Sequence, residues 1–122
     1  MNREILFKAK RKDNGEWVEG DAIHEPIGMS IRYEKNGMSV RVPVDPNTLC
    51  QYTGLTDNKI WEHDIVRNEK GDIGVVQWFE EHTAFMIWNK TKNCVCYLAE
   101  NDFSKIEVIG NIFDNPELLE VE

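Results

Sequence analysis

Long apolar runs are missing from this 122-residue chain. No stretch approaches the roughly 20 consecutive apolar residues that a membrane-spanning helix needs, so no segment is expected to cross a bilayer. Met1-Asn2-Arg3-Glu4 leads straight into strand-like sequence with no apolar signal region, and the chain reads as a cytoplasmic protein. Cysteine is scarce and odd in number, so Cys50, Cys94 and Cys96 make no disulfide framework and read as reduced thiols in or near a core. Cations are in deficit: 14 Lys and Arg face 22 Asp and Glu, for a formal net charge of −8. A protein that holds phosphate backbones needs cations at its surface, which disfavours general nucleic-acid binding. Internal repeats, low-complexity tracts and disordered linkers are absent from the sequence as well.

What is present is short strands and turns. A chain of this length, 41% hydrophobic, fits one domain that buries roughly two-thirds of its unfolded surface. Residues 4–9 alternate with Ile5, Phe7 and Ala9 on one face, the period of a strand. Asp13-Asn14-Gly15-Glu16 supplies a hairpin turn, after which residues 17–23 return antiparallel. Residues 24–28 read as a loop, and a second hairpin turns at Asn36-Gly37 between residues 30–34 and 38–42. Pro43 and Pro46 lack backbone donors, so Pro43-Val44-Asp45-Pro46 reads as a corner, with Asp45 capping one helical turn before a strand at Cys50-Gln51-Tyr52. Gly54 is a natural site of positive φ, and residues 56–59 a polar turn. Five further short strands follow at residues 64–67, 74–79, 84–88, 94–99 and 105–110, with single helical turns near Asp102 and Pro116. The expected fold is mainly β. Residues 1–54 form an N-terminal region of β-hairpins, and residues 55–122 an SH3-like small barrel with a docked C-terminal turn, the two making one compact unit.

Candidate chemistry is thin. Cys94 and Cys96 share a strand face, and Cys50 with a histidine would complete four zinc ligands, but C-x-C on a strand lacks the knuckle of C-x-x-C and has no second pair. A nucleophilic thiol needs a base beside it, and nothing in the sequence brings His24, His63 or His82 to one. The carboxylate pairs Glu80-Glu81 and Glu62-Asp64 have the chemistry of an acid/base or cation site, yet adjacent acids are expected in so acidic a chain. Gly71 and Gly74 lack the Lys-Ser/Thr ending of a phosphate loop and read as turn glycines. No catalytic, cofactor or metal residue is assigned, and the protein is expected not to be an enzyme. Trp78, Phe79, Phe85 and Trp88 offer either a barrel filling or an exposed platform. Trp78 and Phe79 have opposite parity on one strand, so at least one must lie outside the barrel interior.

Charge and aromatics together point to a homo-oligomer. Lys8, Lys10, Arg11 and Lys12 make the beginning basic, whereas Glu100, Asp102, Glu107, Asp114, Glu117, Glu120 and Glu122 make the end acidic. The outer hairpin strands carry no proline to block pairing, and the rings outnumber what one small barrel hides.

Four stretches in combination, ILFKAKRKDNGEWVEGD at the start, TLCQYTGLTDNKIWEHDIV at the centre, then GVVQW and VIGNIFDNPELL, resemble the YopX family of small phage and prophage proteins. The resemblance implies a phage or prophage origin and a β-rich fold with an SH3-like part; a host or phage protein partner is expected instead from the acidic surface and the aromatics. It assigns no activity and no catalytic residue. The chain departs from the pattern in a shortened loop before Lys59-Ile60-Trp61, and at His63, where glycine or asparagine is usual. A non-catalytic protein-interaction module is the resulting expectation, with a nucleic-acid-binding small barrel of regulatory role as the alternative.

Overall fold

One Asn-Gly pair, Asn36-Gly37, sets a tight hairpin turn of the first half. The computed structural model describes residues 6–54, 59–98 and 105–119, and the chain divides after Gly54 into two units. In the first, β1 (Phe7–Lys10), β2 (Trp17–Glu25), β3 (Gly28–Lys35), β4 (Met38–Val44) and β5 (Cys50–Gln51) form one antiparallel sheet in the order β4-β3-β2-β1-β5. Asn36 and Gly37 both take positive φ, 54° and 77°, as a two-residue hairpin turn of matching twist demands.

Two expected boundaries shift. Residues 24–28 are not a loop: β2 runs on to Glu25 and β3 starts at Gly28, so Pro26-Ile27 alone makes the turn, with Gly28 at φ 117°. The corner also comes two residues later than proline suggested, because β4 continues through Pro43 to Val44. β4 ends the sheet order, and there a proline costs no ladder donor; its carbonyl accepts from Lys12 N at 3.1 Å. Asp45 then caps a 3-10 turn at Pro46–Thr48 by accepting from Asn47 N at 3.0 Å.

The first sheet curls back on itself. Arg11 bridges Val44, and Asp45 N donates to Lys10 O at 2.9 Å, so the end of β4 meets the end of β1. Inside sit Ala9, Met29, Ile31, Val42 and Val44, with Phe7, Val18 and Leu49 packed against them.

In the second unit β6 (Asp64–Arg67), β7 (Ile73–Phe79), β8 (Ala84–Asn89), β9 (Cys94–Tyr97) and β10 (Glu107–Asn111) pair in the order β10-β6-β7-β8-β9. Ile60, Val66, Val76, Ile87, Leu98 and Ile106 form its core. Helix among the described residues is limited to short 3-10 turns, including Glu80–His82 and Pro116–Leu119. The turn expected near Asp102, and most of the polar turn at 56–59, lie outside the described residues. No described helix is long and apolar enough to cross a membrane.

The two units share more than strand order. In each, the first strand pairs with the second and the fifth, and the second strand carries a glycine pressed against the third. A Cβ on Gly20 would lie 2.1 Å from Arg32 O and 3.1 Å from Ile31 Cγ2; on Gly74 it would lie 2.8 Å from Trp88 O and 2.6 Å from Ile87 Cγ2. The pairing register agrees around these positions. Ala22, Ile31 and Val42 stand side by side in the first unit, as Val76, Ile87 and Cys96 do in the second. Sequence identity between the halves is too slight to show this correspondence, because strand pairing constrains which face a residue occupies far more than which residue it is.

Candidate functional site

The matched register makes the two units comparable position by position, and their outer faces differ. Where the first unit sets Asp21, Arg32 and Arg41 in a row across β2, β3 and β4, the second sets Val75, Trp88 and Val95 across β7, β8 and β9. The first row is charged, with Arg32 Nη1 3.0 Å from Asp21 Oδ2. The second is apolar: Val75 is buried, Trp88 half-buried, and Val95 45% exposed. The neighbouring row on the same face of the second unit is Gln77, Met86 and Tyr97, with Tyr97 40% exposed. Exposed Val95 and Tyr97 thus stand on β9, the last strand in the order, with Trp88 beside them.

The aromatic parity argument holds. Trp78 is 39% exposed and meets Phe85 edge-to-face at 5.0 Å, at the end of the row that continues the core side. Phe79 stacks on His82 at 6.4 Å, and Tyr97 OH lies 3.3 Å from His82 Nδ1.

The residues weighed for chemistry are divided between the two units. Cys50 belongs to the first unit, where its thiol donates to Thr48 O at 3.3 Å. Cys94 is exposed on β9 and Cys96 half-buried, its Sγ 3.9 Å from Ile87 O. His24 lies on β2 rather than in a loop, exposed; His82 stands in the 3-10 turn beside Glu80 and Glu81, exposed likewise. The Glu62-Asp64 pair is divided in role, since Asp64 is buried and its Oδ2 accepts from Trp61 N at 2.8 Å, closing the turn into β6. Among the described residues no group of three or more His, Cys, Asp or Glu side chains is placed to hold a metal.

His63 occupies a left-handed conformation, φ 72°. This accounts for its being out of pattern, because glycine and asparagine reach that region with little steric cost and histidine does not. Its N–H donates to Val76 O at 2.7 Å and its carbonyl accepts from Ile112 N at 3.1 Å, so the backbone is held from both sides. The ring packs edge-on to Phe113 at 5.4 Å, with Nε2 3.7 Å from Glu62 Oε2 and a buried Nδ1 that has no partner.

One polar constellation escaped the sequence. Asp72 sits in the β6–β7 turn with its side chain only 10% exposed. Its Oδ2 accepts from Asn89 Nδ2 at 3.2 Å and Asn68 Nδ2 at 3.4 Å, and lies 3.5 Å from Lys92 Nζ. The hydrogen bond from Asn89 leads in holding this carboxyl below its usual range; burial opposes, and Asn68 and Lys92 add to the lowering. Asn68 Oδ1 also accepts from the N–H groups of Lys70 and Asp72, both at 2.9 Å, which fixes the turn. In the sequence only the turn-rich composition of Asn68-Glu69-Lys70-Gly71-Asp72 was visible; Asn89 comes from the next hairpin. These residues border a pocket of about 230 Å³.

Net charge belongs to one unit. Residues 1–54 carry eight Lys and Arg against eight Asp and Glu, whereas residues 55–122 carry six against fourteen, which is the whole of the −8. No curated protein matches the chain. The sequence pattern of the family described as YopX protein matches residues 6–120, nearly the full length, and the chain therefore belongs to the YopX family.

Proposed function

We propose that this is a non-catalytic protein-interaction module of phage or prophage origin, acting in the bacterial cytoplasm, built from two SH3-like barrels and self-associating through the second. The supporting observation is the apolar row Val75, Trp88, Val95 with Tyr97 beside it, on a face where the equivalent positions of the first unit are charged. Within and beside this row Val75 and Met86 are buried, while Val95 and Tyr97 are exposed on β9, and these exposed apolar side chains favour a covered face over a solvated one.

A second copy of the chain is the occupant that charge favours. The second unit holds all the net negative charge, and Lys8, Lys10, Arg11 and Lys12 lie along and just after the first strand of a neutral unit, with Arg11 paired to Asp13. Opposite signs on different surfaces of one chain suit a head-to-tail contact. The nucleic-acid reading draws less support. Lys8 and Lys10 place their ammonium groups 4.8 and 5.4 Å from the Trp17 ring, so the aromatic of the basic strand is already engaged by cations and is a poor stacking platform for bases.

Light scattering at micromolar concentration should report a mass clearly above 14.2 kDa. Val95→Glu combined with Tyr97→Glu should return the mass to that of one chain. A wild-type monomer under these conditions would remove the self-association reading and leave a foreign basic protein as the occupant of this face.

A further inference from the structure

The six cations of the second unit are not spread among its fourteen carboxylates: three of them, Lys70, Lys92 and Lys105, line the one pocket beside Asp72. Two of the three are paired, but not equally. Lys92 faces Asp72, whose charge the Asn68 and Asn89 amides already help to meet. Lys105 faces Glu69 at 3.7 Å, with both side chains more than half exposed, a solvent-screened contact that a better acceptor displaces at little cost. Lys70 has no ion-pair partner among the described residues.

Below this mouth the wall changes character. A smaller hollow of about 30 Å³ adjoins it, sharing Asn68, Asp72, Asn89 and Ile106, and lined otherwise by Ile73, Gly74 and Cys96 with Val66 and Ile87 of the core. Ammonium groups at the rim over a small apolar floor suit a ligand with a concentrated anionic head and a short carbon stem.

We propose that this pocket binds a phosphate-type anion, either inorganic phosphate or the phosphate of a small ester whose first carbons rest on the apolar floor. A dianion gains from the three lysines that line the pocket. Asp72 positions Lys92 and sets the anion's limit on that side, and Glu69 competes with the ligand for Lys105. The site is independent of the β9 face, since none of the three lysines belongs to that row.

The test titrates the full-length protein with inorganic phosphate and, separately, with glycerol 3-phosphate, at constant ionic strength against chloride. It follows the backbone amide NMR signals of Lys70, Asp72 and Asn89 and measures affinity by calorimetry. Saturable shifts confined to these loops are expected. Tighter binding of the ester assigns the ligand to the phosphoesters, and equal binding assigns it to inorganic phosphate. Lys70→Gln with Lys105→Gln should weaken binding by about tenfold or more, given two lost charge-assisted contacts. Lys90→Gln, a cation of the same unit outside the pocket lining, should leave it unchanged. Glu69→Gln should tighten it by freeing Lys105. Absence of saturation at millimolar ligand, or equal weakening by the Lys90 variant, would overturn the proposal.

Discussion

His63 is the residue at which this chain is out of step with its own backbone. A left-handed φ costs a β-carbon-bearing residue about 1–2 kcal/mol, and the buried Nδ1 without a partner adds a further penalty. Against these stand the ring contact with Phe113, of a kind worth about 0.5–1.5 kcal/mol, and the approach of Nε2 to Glu62 Oε2 at 3.7 Å. His63→Asn should therefore raise stability by about 1 kcal/mol, read as a higher urea midpoint with unchanged slope. An unchanged or lower midpoint would mean that the Phe113 and Glu62 contacts outweigh the strain. Thr83, with φ 43° after the Glu80–His82 turn, is a β-branched residue in the same region. Asp72 makes a prediction of opposite kind. Its folded pKa is depressed, so the stability it contributes is present above the ordinary aspartate value, near 4, and is lost as pH falls through the lower folded value. In an acid titration of stability, Asp72→Asn should be less stable than wild type at neutral pH, since its amide faces the donors of Asn68 and Asn89. The difference should narrow below about pH 4. Parallel profiles would show that the charge of Asp72 contributes nothing.

At the scale of elements, turns and strand parity were legible in the sequence and glycine contacts were not. Asn36-Gly37 names its own turn, and residues 64–67 read as a strand with the bounds the structure gives, because the alternation and the turn chemistry are local. Pro43 misled because its effect depends on which edge of the sheet the strand occupies, a property no local window contains. Gly20 and Gly74 look like ordinary strand or turn glycines until the third strand is in place. Their removal distinguishes packing from chance. Gly20→Ala drives a methyl group into the carbonyl of Arg32, a backbone atom that cannot move aside without breaking the sheet, and should cost about 3 kcal/mol. Gly74→Ala meets Ile87 Cγ2 at 2.6 Å and the carbonyl of Trp88 at 2.8 Å, a less severe backbone clash than at Gly20, so about 2 kcal/mol is expected. Chemical denaturation of the two variants checks the order as well as the size. The C-terminal stretch shows the same logic. Gly110 lies beside a register shift in the pairing of β10 with β6, and a Cβ there would fall 2.5 Å from Asn115 Oδ1. Asn111 Oδ1 accepts from Phe113 N and Asp114 N, and Asn115 N donates to Asn111 O, so the GNIFDN stretch encodes a bulge and a closed turn rather than a reactive site.

At the scale of the whole molecule, the boundary after Gly54 and the unevenness of charge were both legible in the sequence, but the side chains that the fold gathers beside Asp72 were not. The lysines of the candidate pocket come from the β6–β7 turn, the β8–β9 turn and the approach to β10, three places that only the fold brings together. The division of charge carries the last prediction. If association joins the basic first strand of one copy to the acidic second unit of another, it must weaken with salt, because the Debye length falls from about 10 Å at 0.1 M to about 3 Å at 1 M. An association resting on Trp88, Val95 and Tyr97 alone would instead hold or strengthen, since salts that are excluded from protein surfaces favour apolar burial. Both contributions are expected here, so the mass found by light scattering should decline with sodium chloride without reaching that of one chain. Lys8→Glu with Lys10→Glu should remove the salt dependence and lower the mass at low salt, leaving the apolar contact as the residual attraction. A wild-type mass that rises with sodium chloride would show that the opposite charges of the two units do not meet across the interface.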